Sequence, residues 1–418
     1  MVRMLVFVLL GILTIAGVGA AGVAVTMHDS FRPSSATAPP GGWPEAAAIP
    51  PGRTVVAVVV GDTGSVAADV LASYEVFARS PRFAVSTVSV RREPVPLSGG
   101  LHLLPDRALD EMDRDPDVVV VPAVVDPTGE REAPLRAWIA RQAARGARIL
   151  GVCAGAEFLA ATGVLDGRRA TSFWAGIDPL RRSHPEVSWV AGERYVQDGP
   201  ITTTAGVTSG AVGALRLVEQ LAGAAEAERV GKEIAYPHWS LDGPTAIAEN
   251  RFALSDLPYA LNAAFPWWRP TTGIELADGV GEIDVAAAFE AYSGTSFATR
   301  AVPVAARQTV TTRHGAVLVA EPDPPAVDRT VVPGVSRRPG EFSLDPVLRD
   351  LAVHTDRATA RVTAKFTEYP ADHLTLTGPA WPWRPTILCA ATLLVVGFAV
   401  IRWGRPARPG RGPRPSSP

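Results

Sequence analysis

The sequence predicts an α/β protein: an open, mostly parallel sheet sandwiched by helices, then a truncated second copy, with one apolar helix at each end of the chain. Three features point to it. Thr54–Val60 and Asp117–Pro122 are apolar without alternation, as strands buried on both faces are. Helical-period segments separate such runs, as in Pro134–Arg145, where Leu135, Trp138, Ile139 and Gln142 share a face. Finally, the strand Arg148–Val152 runs into Gly151-Val-Cys-Ala-Gly155 and a helical pattern, the strand–turn–helix elbow that presents its central side chain at a sheet edge.

At 418 residues the chain exceeds one ordinary domain, and a net charge of −2 gives no signal for nucleic acid. Met4 to Met27 carries no charge and reads as a membrane helix or signal anchor. Pro385 to Ile401 is a second charge-free run, flanked by Trp381, Trp383 and Trp403 as in an interfacial aromatic belt. Arg402, Arg405, Arg408, Arg411 and Arg414 follow it; the positive-inside bias puts this tail in the cytoplasm, and Arg3 puts the N-terminus on the same side. The central domains are then extracytoplasmic, and the lipid bilayer is a partner.

The expected organisation is an N-terminal transmembrane helix over 1–27, a Pro/Ser-rich linker over 28–53, an α/β domain over 54–240, a connector over 241–273, the repeat over 274–372, a transmembrane helix over 385–403 and a basic tail over 404–418. Within the first domain, helix is expected from Ser65 to Arg79 and from Gly210 to Leu221, and strand from Phe83 to Val90. The repeat rests on collinear matches. Asp69…Glu75-Val-Phe77 matches Asp284…Glu290-Ala-Tyr292, Asp117…Pro122 matches Asp328…Pro333, and Lys232 with Tyr236-Pro237 matches Lys365 with Tyr369-Pro370. The second copy lacks a strand–Gly-x-Cys-x-Gly–helix segment, and the two copies are candidates for an intramolecular pseudo-dimer.

Of two cysteines, Cys389 lies in the second apolar run and Cys153 stands alone in the elbow, where a helix N-terminus beneath the sulfur is expected to favour a thiolate. His28, His102, His184, His238, His314, His354 and His373 fall at no metal-ligand spacing, and Gly61-Asp-Thr-Gly64 is too short a motif for a nucleotide. Neither metal nor cofactor is expected.

Gly151–Gly155, Leu159-Ala160, Gly163-Val-Leu-Asp-Gly-Arg-Arg-Ala-Thr171, Trp174 and Thr204–Gly210 resemble the ThiJ/PfpI superfamily of class I glutamine-amidotransferase-like, flavodoxin-like folds, and are similar above all to the sensor domains of AraC-type regulators, here without their DNA-binding domain. The resemblance implies Cys153 as nucleophile, Asp69 as the carboxylate that tunes it, and the backbone N–H groups of Ala154 and Val124 as oxyanion donors. This chain departs from the family at three places. Phe173 stands where a histidine is usual, Pro122-Ala123-Val124 where Pro-Gly-Gly is common, and Ala154 where isonitrile-hydrating relatives have threonine. Loss of a positioned proton-transfer group costs about 10²–10⁴-fold in rate. The expected function is therefore a membrane-anchored module that senses a small molecule or binds an envelope protein through a degenerate site. The alternative is a Cys153/Asp69-dependent hydrolase or hydratase of a small molecule.

Overall fold

The computed structural model describes residues 2–321 and 324–404. The chain opens on α1 (Val2–Ser30). It continues through β1 (Thr54–Val59), α2 (Ala67–Ala78), β2 (Phe83–Ser89), β3 (Val95–Leu97), β4 (Leu101–Leu104), β5 (Arg107–Ala108), β6 (Val118–Val121), α3 (Ala133–Ala144), β7 (Arg148–Gly151) and α4 (Gly155–Ala160). Next come β8 (Arg169–Ala170), α5 (Ile177–Ser183), β9 (Ser188–Trp189), β10 (Tyr195–Asp198), β11 (Ile201–Thr204), α6 (Ser209–Ala222), α7 (Ala224–Ile234) and α8 (Leu257–Ala264). The second half holds β12 (Thr271–Leu276), α9 (Glu282–Phe289), β13 (Arg300–Ala305), β14 (Thr309–Thr311), β15 (Val317–Val319), β16 (Arg329–Val331), α10 (Leu344–His354), α11 (Arg357–Phe366) and α12 (Trp383–Gly404).

Seven strands form the main sheet in the order β10-β11-β7-β6-β1-β2-β5. Only the edge pair β10–β11 is antiparallel, so this is the parallel-dominated, flavodoxin-like sheet the apolar runs call for. Strand side chains alternate between faces. Val56, Val58, Val120 and Leu150 therefore enter the core that includes residues of α2 and α6, while Ala57, Val59, Val119 and Ile149 enter the core that includes residues of α3 and α4. Both faces are covered, which is why these strands show no polar alternation.

Two smaller sheets involve the second half. One has the parallel order β13-β12-β16, the other the antiparallel order β14-β15-β4-β3. The latter joins the halves through β15 and β4, with Leu318 opposite Leu103. Strand β12 begins at Thr271, inside the stretch read from sequence as connector. Helix α9 runs into a π-turn over Glu290–Gly294, and α9 packs on α2.

Helix α1 and helix α12 are long and apolar enough to cross a membrane, with mean hydropathies of 2.4 and 2.0 over their best windows, and both are largely exposed. They lie side by side, running in opposite directions: a Cβ at Gly11 would meet Val400 and Val396 at 3.0 and 3.1 Å. Near its other end α1 docks on α8. There Gly22 approaches so closely that an added Cβ would sit 1.9 Å from the Ala264 carbonyl oxygen. Thr26 Oγ1 donates to Ala263 O (2.9 Å), and Arg269 pairs with Asp29 (2.6 Å). Residues 31–53 have no regular structure but are fastened down. Ser34 Oγ donates to Glu321 (3.1 Å), Gln308 Nε2 to Thr37 O (2.8 Å) and Arg114 to Pro50 O (3.3 Å), so this stretch is a strap over the domain rather than a free spacer. Helix α12 starts at Trp383, where Trp381 Nε1 donates to Thr386 Oγ1 (2.8 Å). The basic tail from Arg405 on lies outside the described residues.

Candidate functional site

Strand β7 ends at Gly151 and α4 begins at Gly155, leaving Cys153 to turn the chain at φ 56°. A non-glycine residue in that left-handed region costs on the order of 1–3 kcal/mol and persists only where its surroundings hold it. The Cys153 N–H points to Thr204 Oγ1 (3.4 Å), and Ser172 Oγ donates to Cys153 O (3.1 Å). Gly155 lets α4 close on the sheet: a Cβ there would lie 2.1 Å from Val121 O.

Asp69, in the first turn of α2, is fully buried beneath the elbow. Its Oδ2 accepts from the Ala123 N–H (3.0 Å), and its Oδ1 has no partner among the described residues. Burial pushes the Asp69 carboxyl well above the usual carboxylate range, against the opposing Ala123 hydrogen bond, with Glu290 adding to the rise. The Cys153 thiol is also pushed well above its ordinary value, by burial first and then by the negative charge of Asp69. This runs against the expectation of a thiolate. Helix α4 has only 6 residues, and its one favourable contact, the Ala154 N–H on the sulfur, is outweighed by desolvation.

The two oxyanion candidates are placed differently. The Ala154 N–H is directed at the sulfur of its own neighbour. Val124 lies in an antiparallel bridge with Ser65, flanked by hydrogen bonds from Val66 N to Ala123 O (3.1 Å) and Val125 N to Gly64 O (3.0 Å). Its side chain is buried and fills the space over Gly61, where an added Cβ would lie 2.6 Å from Val124 Cγ1. Phe173 packs on the core, its ring 5.3 Å from Trp174 and 6.3 Å from Phe366 of α11. Cys153 itself is only 6% exposed.

Glu368, which the sequence reading passed over, enters this neighbourhood from the second half. It accepts backbone N–H groups of Gly206 and Trp174, and burial lifts its carboxyl to about 7. Its only sequence signal was its place between Lys365 and Tyr369 of the repeat match. Beside it lies a cavity of about 330 Å³ lined by Thr171, Ser172, Ala205 and Glu368, among others, but not by Cys153. Elsewhere His314, Glu282 and Glu75 converge within 4.8 Å, which no sequence spacing foretold. Their acceptors are engaged: Glu282 with His314 Nδ1 (2.8 Å), and Glu75 with Arg79 and the Ile283 N–H (2.6 Å).

A parallel-dominated α/β sheet with a cysteine at a strained strand–helix elbow and a buried carboxylic acid below it defines the class of protein. The DJ-1/PfpI family profile matches residues 54–220, the main sheet and its helices up to α6. The chain is 35% identical over 171 residues to an isonitrile hydratase of Pseudomonas putida, a match spanning 40% of this chain and 72% of the hydratase. It is 34% identical over 140 residues to the HTH-type transcriptional regulator CdhR of Pseudomonas aeruginosa, covering 34% of this chain and 41% of the regulator. Among solved structures, a ThiJ/PfpI family protein from Pseudomonas syringae aligns at 27% identity and TM-score 0.41, covering 46% of this chain and 78% of that one. The chain belongs to the DJ-1/PfpI family.

Proposed function

We propose that this protein is a membrane-anchored, extracytoplasmic DJ-1/PfpI module that senses a small molecule or engages an envelope protein, its elbow retained as structure rather than as a nucleophile. One observation carries the reading: Cys153 is buried, and both it and Asp69 hold their protons well above their ordinary values. A nucleophilic cysteine needs thiolate character and access. The replacement of histidine by Phe173 and the filling of the oxyanion strand by Val124 support the same reading.

In this proposal the second half is a truncated copy that serves as an internal partner. The order β13-β12-β16 parallels β2-β1-β6, and β14-β15-β4-β3 reads as two hairpins facing each other across a pseudo-twofold axis. Glu75 accepts the Ile283 N–H at the start of α9 (2.6 Å); at the matching positions, Glu290 accepts the Ala68 N–H at the start of α2. Such reciprocity is the property of an isologous interface. Both terminal helices are read as membrane spans, with both chain ends cytoplasmic.

Alkylation tests the reading. Native protein in detergent, treated with iodoacetamide near neutral pH, is expected to leave Cys153 unmodified by peptide mass spectrometry, while the urea-unfolded chain reacts. Modification of the native protein at a free-thiol rate would overturn it. The second reading, a Cys153/Asp69 hydratase, is favoured by the strained elbow and the 35% identity to the isonitrile hydratase. Hydration of cyclohexyl isonitrile to the formamide, lost in Cys153→Ala, would establish it; no turnover is the expected result.

A further inference from the structure

We propose that the cavity of about 330 Å³ beside the elbow binds a small organic amine, its ammonium held between Glu368 of the second half and Glu193 of the first. The inference rests on the ligand-sensing reading and names the class of ligand. The volume suits a molecule of a few heavy atoms to drug size. Four carboxylates line the cavity, and two have cationic partners: Asp178 pairs with Arg181 (2.9 Å) and Glu249 with Arg251 (3.7 Å). Glu193 and Glu368 make no ion pair among the described residues. The remaining negative charge selects a cation.

Glu368 is held for this task. It sits at φ 51°, a conformation maintained by its own N–H to Lys365 O (3.1 Å) and by Thr208 Oγ1, which donates to its carbonyl oxygen (3.1 Å). A carboxylate offers about four acceptor sites. The Gly206 and Trp174 N–H groups occupy two, leaving capacity for a ligand's donors. The wall adds the apolar faces of Trp174 and Ile177. A primary ammonium has three donors, which the free acceptor sites of two carboxylates can take. Burial raises the Glu368 carboxyl to about 7, and a bound cation would restore its charge; the facing Arg194, engaged with Tyr236 (2.7 Å), is the one cation acting on it.

Calorimetric titration of the full chain in detergent with benzylamine, and with benzyl alcohol as its neutral counterpart, tests the assignment. Benzylamine is expected to bind at least tenfold more tightly than the alcohol, and Glu368→Gln and Glu193→Gln are each expected to weaken it at least tenfold. Cys153→Ala should bind as the wild type does. Glu193 is only partly buried, so its variant keeps the test intact should Glu368→Gln fail to fold. Equal affinity for the alcohol, unchanged affinity in a folded Gln variant, or no binding of benzylamine would overturn the proposal. Absent binding together with an unreactive native Cys153 removes the amine and leaves the proposed function standing. A reactive Cys153 with intact amine binding does the reverse.

Discussion

At the residue scale the site is governed by desolvation. Cys153, Asp69 and Glu368 are all buried, and in each case removal from water favours the protonated form more than nearby hydrogen bonds favour the charged one. Glu368 has the measurable consequence. Its folded-state value is raised from 4.5 to about 7, so its stabilising contribution is complete below about pH 4.5 and is lost as pH climbs through 7. One pKa unit corresponds to roughly 1.4 kcal/mol, so the loss is at most about 3.5 kcal/mol. Thermal midpoints of wild type and Glu368→Gln, compared between pH 5 and 7.5, are expected to diverge, with the wild type losing more of its stability on the alkaline side. Parallel curves would show that Glu368 does not titrate in this window. Asp69, Glu75 and Glu290, also raised by burial, remain in both proteins and cancel in the difference.

At the scale of elements, the two halves are joined by α2 against α9 and by the four-stranded sheet between them. The carboxylates of Glu75 and Glu290 take over helix-initiating amides that have no partner within their own helices. Glu290 also takes the hydroxyl of Ser98, which in turn accepts the Ala67 N–H (2.8 Å). Glu290→Ala leaves these buried donors unsatisfied and is expected to cost about 1–3 kcal/mol by denaturant unfolding, with Glu290→Gln recovering part of it. A neutral result would mean that the cap adds nothing to packing. The long elements were legible because their sequence patterns are local: Val118–Val121 needs only its own residues to read as a doubly covered strand. Strands β3, β4, β14 and β15, at three or four residues each, were not legible: each hairpin is too short to show a pattern, and the β15–β4 pairing that joins them spans some two hundred positions. The same distance hid Glu368, which meets Gly206 only after the second half folds back. The burial that works against a thiolate was hidden for a related reason: the sequence displays the elbow but not the depth at which the fold buries it.

At the scale of the molecule, α1 and α12 form an antiparallel pair standing on the domain, and their roots are fixed rather than hinged. Thr26, Asp29 and Gly22 lock α1 onto α8, and the strap over residues 31–53 continues that attachment. Large apolar residues left exposed near these roots, Trp268 at 80% and Trp383 at 62%, suit a membrane interface. Gly22→Val, which would drive a side chain into the Ala264 carbonyl, is expected to loosen α1 from α8 and to open the Met27–Arg32 segment to limited proteolysis; an unchanged digest would show that the docking is not held there. Since the ends of α1 and α12 away from the domain lie together, those two helix ends occupy one side of any bilayer the pair crosses. In the proposed topology, the arginine-rich tail puts that side in the cytoplasm. In a Cys153→Ala/Cys389→Ala background, Asp242→Cys is therefore expected to react with a membrane-impermeant maleimide on intact cells, and Ser417→Cys only after permeabilisation. The opposite labelling would invert the topology and move the amine cavity to the cytoplasmic face. Labelling of both positions on intact cells would rule out the paired span, because one of the two helices would then have to leave the bilayer on the side it entered.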